Sequence, residues 1–224
     1  MKQYTINRLP AEHEAGVMPS VQEWENANIL NIDNFRPEGS DARPDVKCRV
    51  LYDASGLYLR YSLKDRWVKC VAKNYQDSVC EDSCVEFFVE PVQGKGYMNF
   101  ELNACGVMLL YHVIDWTEVG DAYADYYAVG DYANKAVKRY PTLKAEDVAE
   151  EITDSCDWEL GVYVPFSVLS KEFGIPLQPE KGTVWHGNFY TCADGTSHPR
   201  WAAWSPVNIL NFHLPECFGD IIFG

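Results

Sequence analysis

The sequence predicts an all-β chain folded as an antiparallel, jelly-roll-like β-sandwich with one or two short helices. Three observations carry this: many short β-rich runs, turn-forming clusters between them, and one clear helical signal. The 224 residues show no internal repeat and no Pro- or Ser-rich linker, so a single domain over 1–224 is expected. The run from Val46, continuing KCRVLYDASGLYLRYSLKD, reads as two strands reversed at Asp53-Ala-Ser-Gly56. CVEFFVEP and YMNFELNACGVMLLYHV form a second hairpin around VQGKG, whose glycines permit a tight reversal. The stretch from His112 to Ile152 keeps no period of two and reads as a long irregular excursion with one short helix. WELGVYVPF resumes a strand, and FSVLSKEFG follows as a helix with Ser167 as N-cap and Gly174 as its end. TVWHGNFYTCAD and GDIIFG complete the strands.

Composition narrows the function. Hydrophobic residues make up 47% and charged residues 23%, a globular balance. Thirty-three acidic against 19 basic side chains give a net charge of −14, which repels phosphate backbones and anionic lipid, so nucleic acid is not an expected partner. No apolar run approaches the roughly 18 residues that span a bilayer, and no membrane association is expected. The start MKQYTINRLPAEHEAG lacks the apolar segment of a secretory signal. A native Met1 therefore implies the cytoplasm, and a trimmed precursor a secreted or periplasmic protein. The eight cysteines form no CxxC and are spread widely, as expected of reduced, half-buried thiols. The five histidines form no recognisable motif with serine or cysteine.

Alternation along CVEFFVE places Val85, Phe87 and Val89 on one face, with Cys84, Glu86, Phe88 and Glu90 on the other. In the partner run, Phe100, Leu102 and Ala104 oppose Asn99, Glu101, Asn103 and Cys105. Matching core face to core face leaves two registers. One sets Glu86 against Glu101; the other sets Glu86 against Asn103 and Cys84 against Cys105. Either way Glu86, Glu101 and Asn103 share a surface, and like charges facing each other cost stability unless a ligand or cation compensates.

EDSCVEFFVEP, YMNFELNACG, NFYTCAD, WAAWSPV and PECFGDIIF, in that order from about Val46 to Gly224, resemble the family 9 carbohydrate-binding modules, in particular their stand-alone bacterial branch. The resemblance implies a β-sandwich that holds glucose- or cellobiose-like sugar ends between two tryptophans, with polar residues below and often with structural calcium. It implies that Glu86 and Asn103 bind hydroxyls, that Trp204 is one stacking aromatic, and that Tyr190 falls at a polar binding position. Two departures stand out: Cys80 occupies the place of the second tryptophan, and Glu101 the place of a basic residue. Tyr75 and Trp67 are alternative walls.

The expected function is therefore non-catalytic binding of a saccharide by Glu86, Asn103, Trp204, Glu101 and Tyr190. No cofactor is expected. Asp53, Asp65, Asp77, Glu81 and Asp82 are oxygen donors of the kind calcium prefers, but they match no loop signature. Two other classes compete: a glycoside hydrolase using Glu86 and Glu101 as paired carboxyls, and a structural or interaction domain. For Tyr190 the structural reading is a packed ring with its hydroxyl tied to the backbone. For Asn188, on the same strand face, it is a clamp on an adjacent loop.

Overall fold

A computed structural model describes residues 1–9, 14–120, 122–148 and 150–224. Fourteen strands are assigned among these: β1 (Gln3–Arg8), β2 (Ile29–Asn31), β3 (Asn34–Phe35), β4 (Asp45–Tyr52), β5 (Gly56–Val68), β6 (Cys84–Glu90), β7 (Tyr97–Asn103), β8 (Met108–Val119), β9 (Ala122–Ala128), β10 (Lys138–Pro141), β11 (Ile152–Pro165), β12 (Val184–Cys192), β13 (Trp201–Ala203) and β14 (Gly219–Phe223). Three short α-helices accompany them: α1 (Val21–Trp24), α2 (Asp131–Ala136) and α3 (Phe166–Phe173). None of the helices is long and apolar enough to cross a membrane.

The strand order is β10-β11-β5-β4-β1-β14-β12-β6-β7-β8-β9, folded so that its two halves enclose a common core. Val50, Leu59, Tyr61 and Leu160 from one half meet Phe87, Phe100, Leu110 and Phe189 from the other. The Tyr61 hydroxyl, fully buried, donates across the interior to the Glu86 carbonyl at 3.1 Å.

Strand pairing is mixed, which corrects the purely antiparallel expectation. β1 runs parallel to β14 over Gln3–Ile6 and parallel to β4 over Asn7–Arg8, passing from one half of the sandwich to the other. This strand belongs to the N-terminal 45 residues, where no clear strand pattern stands out in the sequence.

Both expected hairpins form, β4–β5 and β6–β7. The excursion after His112 is more regular than its sequence suggests: β8 continues to Val119 and pairs with β9. From Ile114 to Val119 every residue is exposed, so no burial imposes a polar–apolar alternation there. Helix α3 begins at Phe166 with Pro165 at the N-cap, leaving Ser167 inside the first turn without a capping bond. Gly174 does end the helix, at φ 67°.

Trp204 belongs to the shared core. Its ring meets Tyr4 and Phe189 edge-on, at 6.3 and 5.9 Å between centroids, and lies where a Cβ on Gly219 would come within 2.5 Å. Truncating such a buried indole removes apolar burial and leaves a cavity, at a cost of about 3–5 kcal/mol. Trp204→Ala is thus expected to lower unfolding stability by that amount in urea titrations; a loss under about 1 kcal/mol would place the ring outside the core.

Candidate functional site

The alternation of β6 and β7 carries through to the structure, but the face bearing Glu86 is not open to water. The chain after β13 folds back over it. Asn188 clamps the start of this segment: its amide donates to the Ser205 carbonyl and its oxygen accepts from the Ser205 N–H, both at 2.9 Å. Arg36 holds the Val207 carbonyl at 2.8 Å, and the Tyr190 hydroxyl donates to the Phe212 carbonyl at 2.9 Å. The Tyr190 and Phe212 rings stack at 4.2 Å, while Tyr97 and His213 share a 2.6 Å hydrogen bond. A second apolar cluster results, built on Phe88, Tyr97, Tyr190 and Phe218.

Beside the covering segment lies a cleft of about 290 Å³ lined by Cys80, Glu86, Glu101, Cys192, Asp194 and Trp201 together with Leu210 to His213. The register sets Glu86 directly opposite Glu101 and Cys84 opposite Asn103. Both glutamates are buried, at 3% and 7% exposure. A larger cleft of about 750 Å³ beside α3 has no carboxylate in its lining.

Electrostatics in the smaller cleft are unusual because nothing basic balances the acids. Burial holds the Glu86 carboxyl well above the usual carboxylate range; Glu101 opposite raises it further, and the Cys192 thiol, 3.1 Å from Oε1, partly offsets this. Burial likewise lifts Glu101 to about 7 against the pull of the Asn99 amide, which donates to it at 2.7 Å. Asp194 rises to about 6 through burial, although it accepts the Trp201 indole N–H at 2.8 Å. His213 falls to about 4 because burial disfavours its cation. At neutral pH the pocket thus favours a proton on Glu86, leaves Glu101 near its midpoint and keeps His213 neutral.

Of the five expected site residues, Glu86 and Glu101 line the cleft. Asn103 does not: its amide donates to Asp82 at 2.8 Å and its oxygen accepts the Cys105 and Val107 N–H groups, closing the turn after β7. Tyr190 lies beneath the wall, its hydroxyl tied to the backbone. Trp204 points into the core; Trp201 lines the cleft instead. Tyr75 bonds the Val129 carbonyl and Trp67 stacks on His198 at 3.7 Å, so neither stands in the cleft lining. The sequence held the signal for Trp201: in WAAW, alternation sends residues 201 and 204 to opposite faces. Asp194, in the loop after β12, and Phe212, in the covering segment, had no such signal.

The acids considered as calcium ligands serve local turns. Asp53 accepts from Ser55, Gly56 and Tyr58; Asp82 from Val71, Ala72 and Asn103; Asp77 from Lys73 and Asn74. Asp65 pairs with buried Arg200 at 2.6 Å and accepts the Trp158 indole N–H. The Glu81 carbonyl accepts the Gly195 N–H at 3.0 Å.

Comparison with known proteins agrees with this architecture. The family model described as carbohydrate-binding family 9 matches residues 16–223. The chain belongs to carbohydrate-binding family 9. A Bacteroides uniformis protein provisionally assigned to carbohydrate binding has a crystal structure that superposes with a TM-score of 0.84 at 28% identity, covering 100% of this chain and 99% of that one. Two structures of a family 9 module from Caldicellulosiruptor kristjanssonii share the fold at 11% identity. The complex with cellotriose has a TM-score of 0.62 and covers 99% of this chain and 93% of that one; the complex with glucose has 0.64, covering 100% and 96%. No curated protein sequence matches the chain. In this chain the acid pair lies where the covering segment shields it from water.

The raised acids have a measurable consequence. The folded chain binds the Glu101 proton more tightly than the unfolded chain, whose carboxyl titrates near its ordinary 4.5. This contribution is complete below pH 4.5 and is lost as pH rises through about 7. Glu101→Gln, which cannot ionise, is expected to be more stable than wild type at pH 8 by on the order of 3 kcal/mol. The difference should shrink toward pH 5 in urea titrations; a difference independent of pH would mean that Glu101 is not protonated by its burial.

Proposed function

We propose that the cleft over Glu86 and Glu101 binds the end of a saccharide chain without cleaving it. The observation that carries this reading is the convergence of buried carboxyls with the Trp201 and Phe212 rings in one small cleft. A sugar offers apolar C–H faces that stack on aromatic rings and hydroxyls that both donate and accept. A carboxyl that keeps its proton donates as well as accepts, while an ionised neighbour only accepts, so a half-protonated acid pair matches a vicinal pair of hydroxyls. The volume of about 290 Å³ lies at the low end of the range of roughly 300–1,000 Å³ for ligand cavities, which favours one terminal ring over a long chain. The glucose and cellotriose complexes of the Caldicellulosiruptor module support a glucose-type ligand.

The opposed carboxyls also favour a second reading, glycoside hydrolysis, since one acid raised toward neutrality and a facing carboxylate are its usual equipment. Release of reducing ends from oligosaccharides, abolished by Glu86→Gln, would establish that reading and overturn binding alone.

Calorimetry with glucose, cellobiose and other mono- and disaccharides tests the proposal directly. Trp201→Ala is expected to weaken binding about tenfold, or about 1.4 kcal/mol, by removing a stacking face. Wild-type protein that binds no sugar on a glycan array or by calorimetry, yet copurifies with a protein partner, would replace the saccharide with an interaction role.

A further inference from the structure

Beneath the cleft two thiols that saccharide recognition does not require stand beside one of its carboxyls. Cys84 on β6 and Cys192 on β12 are directly opposed in the strand ladder. Glu86, two residues along β6 and on the same face, brings its Oε1 to 3.1 Å from the Cys192 sulfur. The two sulfurs and a Glu86 carboxylate oxygen all lie within 4.8 Å of one another, and all three side chains are buried. Ligands sharing one zinc ion, with bonds of about 2.3 Å to sulfur and about 2.0–2.2 Å to oxygen, stand at most roughly 4.6 Å apart. The three donors are therefore already close to the spacing that a common ion imposes, and they project from two paired strands rather than from loops.

We propose that Cys84, Cys192 and Glu86 form a binding site for a thiophilic divalent cation of the zinc class. Two sulfurs select against calcium and magnesium, which take oxygen donors almost exclusively. Charge argues for a cation as well. The cleft above is lined by three carboxyls and two thiols, with no lysine or arginine, and its histidine stays neutral. A bound dication would offset the like charges of Glu86 and Glu101, which stand opposite each other in the strand register. Glu86 and Cys192 themselves line the cleft, so a fourth position beside them can be filled by water or by an oxygen of a bound molecule, as in zinc sites with three protein ligands. Binding replaces the protons of two thiols with one ion and releases both to the buffer; any proton on Glu86 leaves with them. No electron moves, and no oxidant is needed.

This inference is independent of the saccharide reading, because the ion can be measured with no sugar present. Reduced protein is stripped with chelator, loaded with Zn²⁺ or Co²⁺, desalted and assayed for metal content and for thiolate-to-cobalt absorption. One metal ion per chain is expected, with the absorption band present. Cys84→Ala and Cys192→Ala should each reduce retained metal to background, and Cys80→Ala should leave it unchanged. Glu86→Gln, nearly isosteric, should weaken zinc affinity by more than about tenfold, and circular dichroism checks that each variant is folded. Wild-type protein that retains no zinc while all eight thiols react after denaturation would overturn the proposal. So would a Cys84–Cys192 disulfide, seen by mass spectrometry, that leaves the reduced protein without metal. Equal retention of calcium and zinc, unaffected by Cys84→Ala, would also overturn it.

Discussion

The opposition of Glu86 and Glu101 is the constraint around which the functional half of this molecule is arranged. Two acids facing each other across a strand pair repel when ionised, and burial raises the cost of either charge. The register that creates the clash keeps the other side of the same strands in the core. Val85, Phe87 and Val89 pack with Met98, Phe100 and Leu102 in the shared core, and each such side chain contributes about 1.5–3 kcal/mol on burial. A one-residue slip would separate the acids but turn this entire set toward the polar face. Core burial excludes that slip but not the register that sets Glu86 against Asn103, so the observed pairing keeps a local conflict that a proton on either acid can relieve.

That conflict would be weak on an open sheet face, where water would solvate both carboxyls. It is the covering segment after β13 that makes it strong. Asn188, Arg36 and Tyr190 hold the segment by its backbone carbonyls, and Tyr97 meets it through His213. Phe88 and Phe218 give it an apolar base. Segment and sheet thus form a second small core, and the acid pair reaches its surface at the cleft. Residues outside the cleft lining, Asn188 and Tyr190 above all, therefore set the environment of those that line it.

How much of this could be read in advance depended on how many faces of each strand are buried. For β6 and β7 one face carries only apolar residues in the core, so the hairpin, its inward set and the two permitted registers were all visible; the structure chose between them. Burial of the second face was not visible, because the segment that covers it, SPVNILNFHLPECF, has no periodicity and its anchors are hydrogen bonds to backbone rather than an apolar stripe. The opposite failure occurred in β8–β9, where an exposed ribbon feels no burial and so shows no alternation. β1 escaped notice for a third reason: it completes both halves of the sandwich by parallel pairing, which leaves no turn signal beside it.

The exchange of one tryptophan for another follows from the same periodicity. In family 9 terms Trp204 is the expected stacking residue, but alternation along β13 commits Ala202 and Trp204 to the core and Trp201 and Ala203 to the covered face. The aromatic wall therefore comes from Trp201, whose indole N–H is tied to Asp194 at 2.8 Å. That bond fixes the ring in orientation and uses one lone pair of an acid that also lines the cleft. Cys80, where a second tryptophan would be expected, lines the same cleft with a small side chain. The geometry thus offers one held indole, Phe212 beside it and a thiol in place of a second indole, so the saccharide we propose would meet one ring face here and not two.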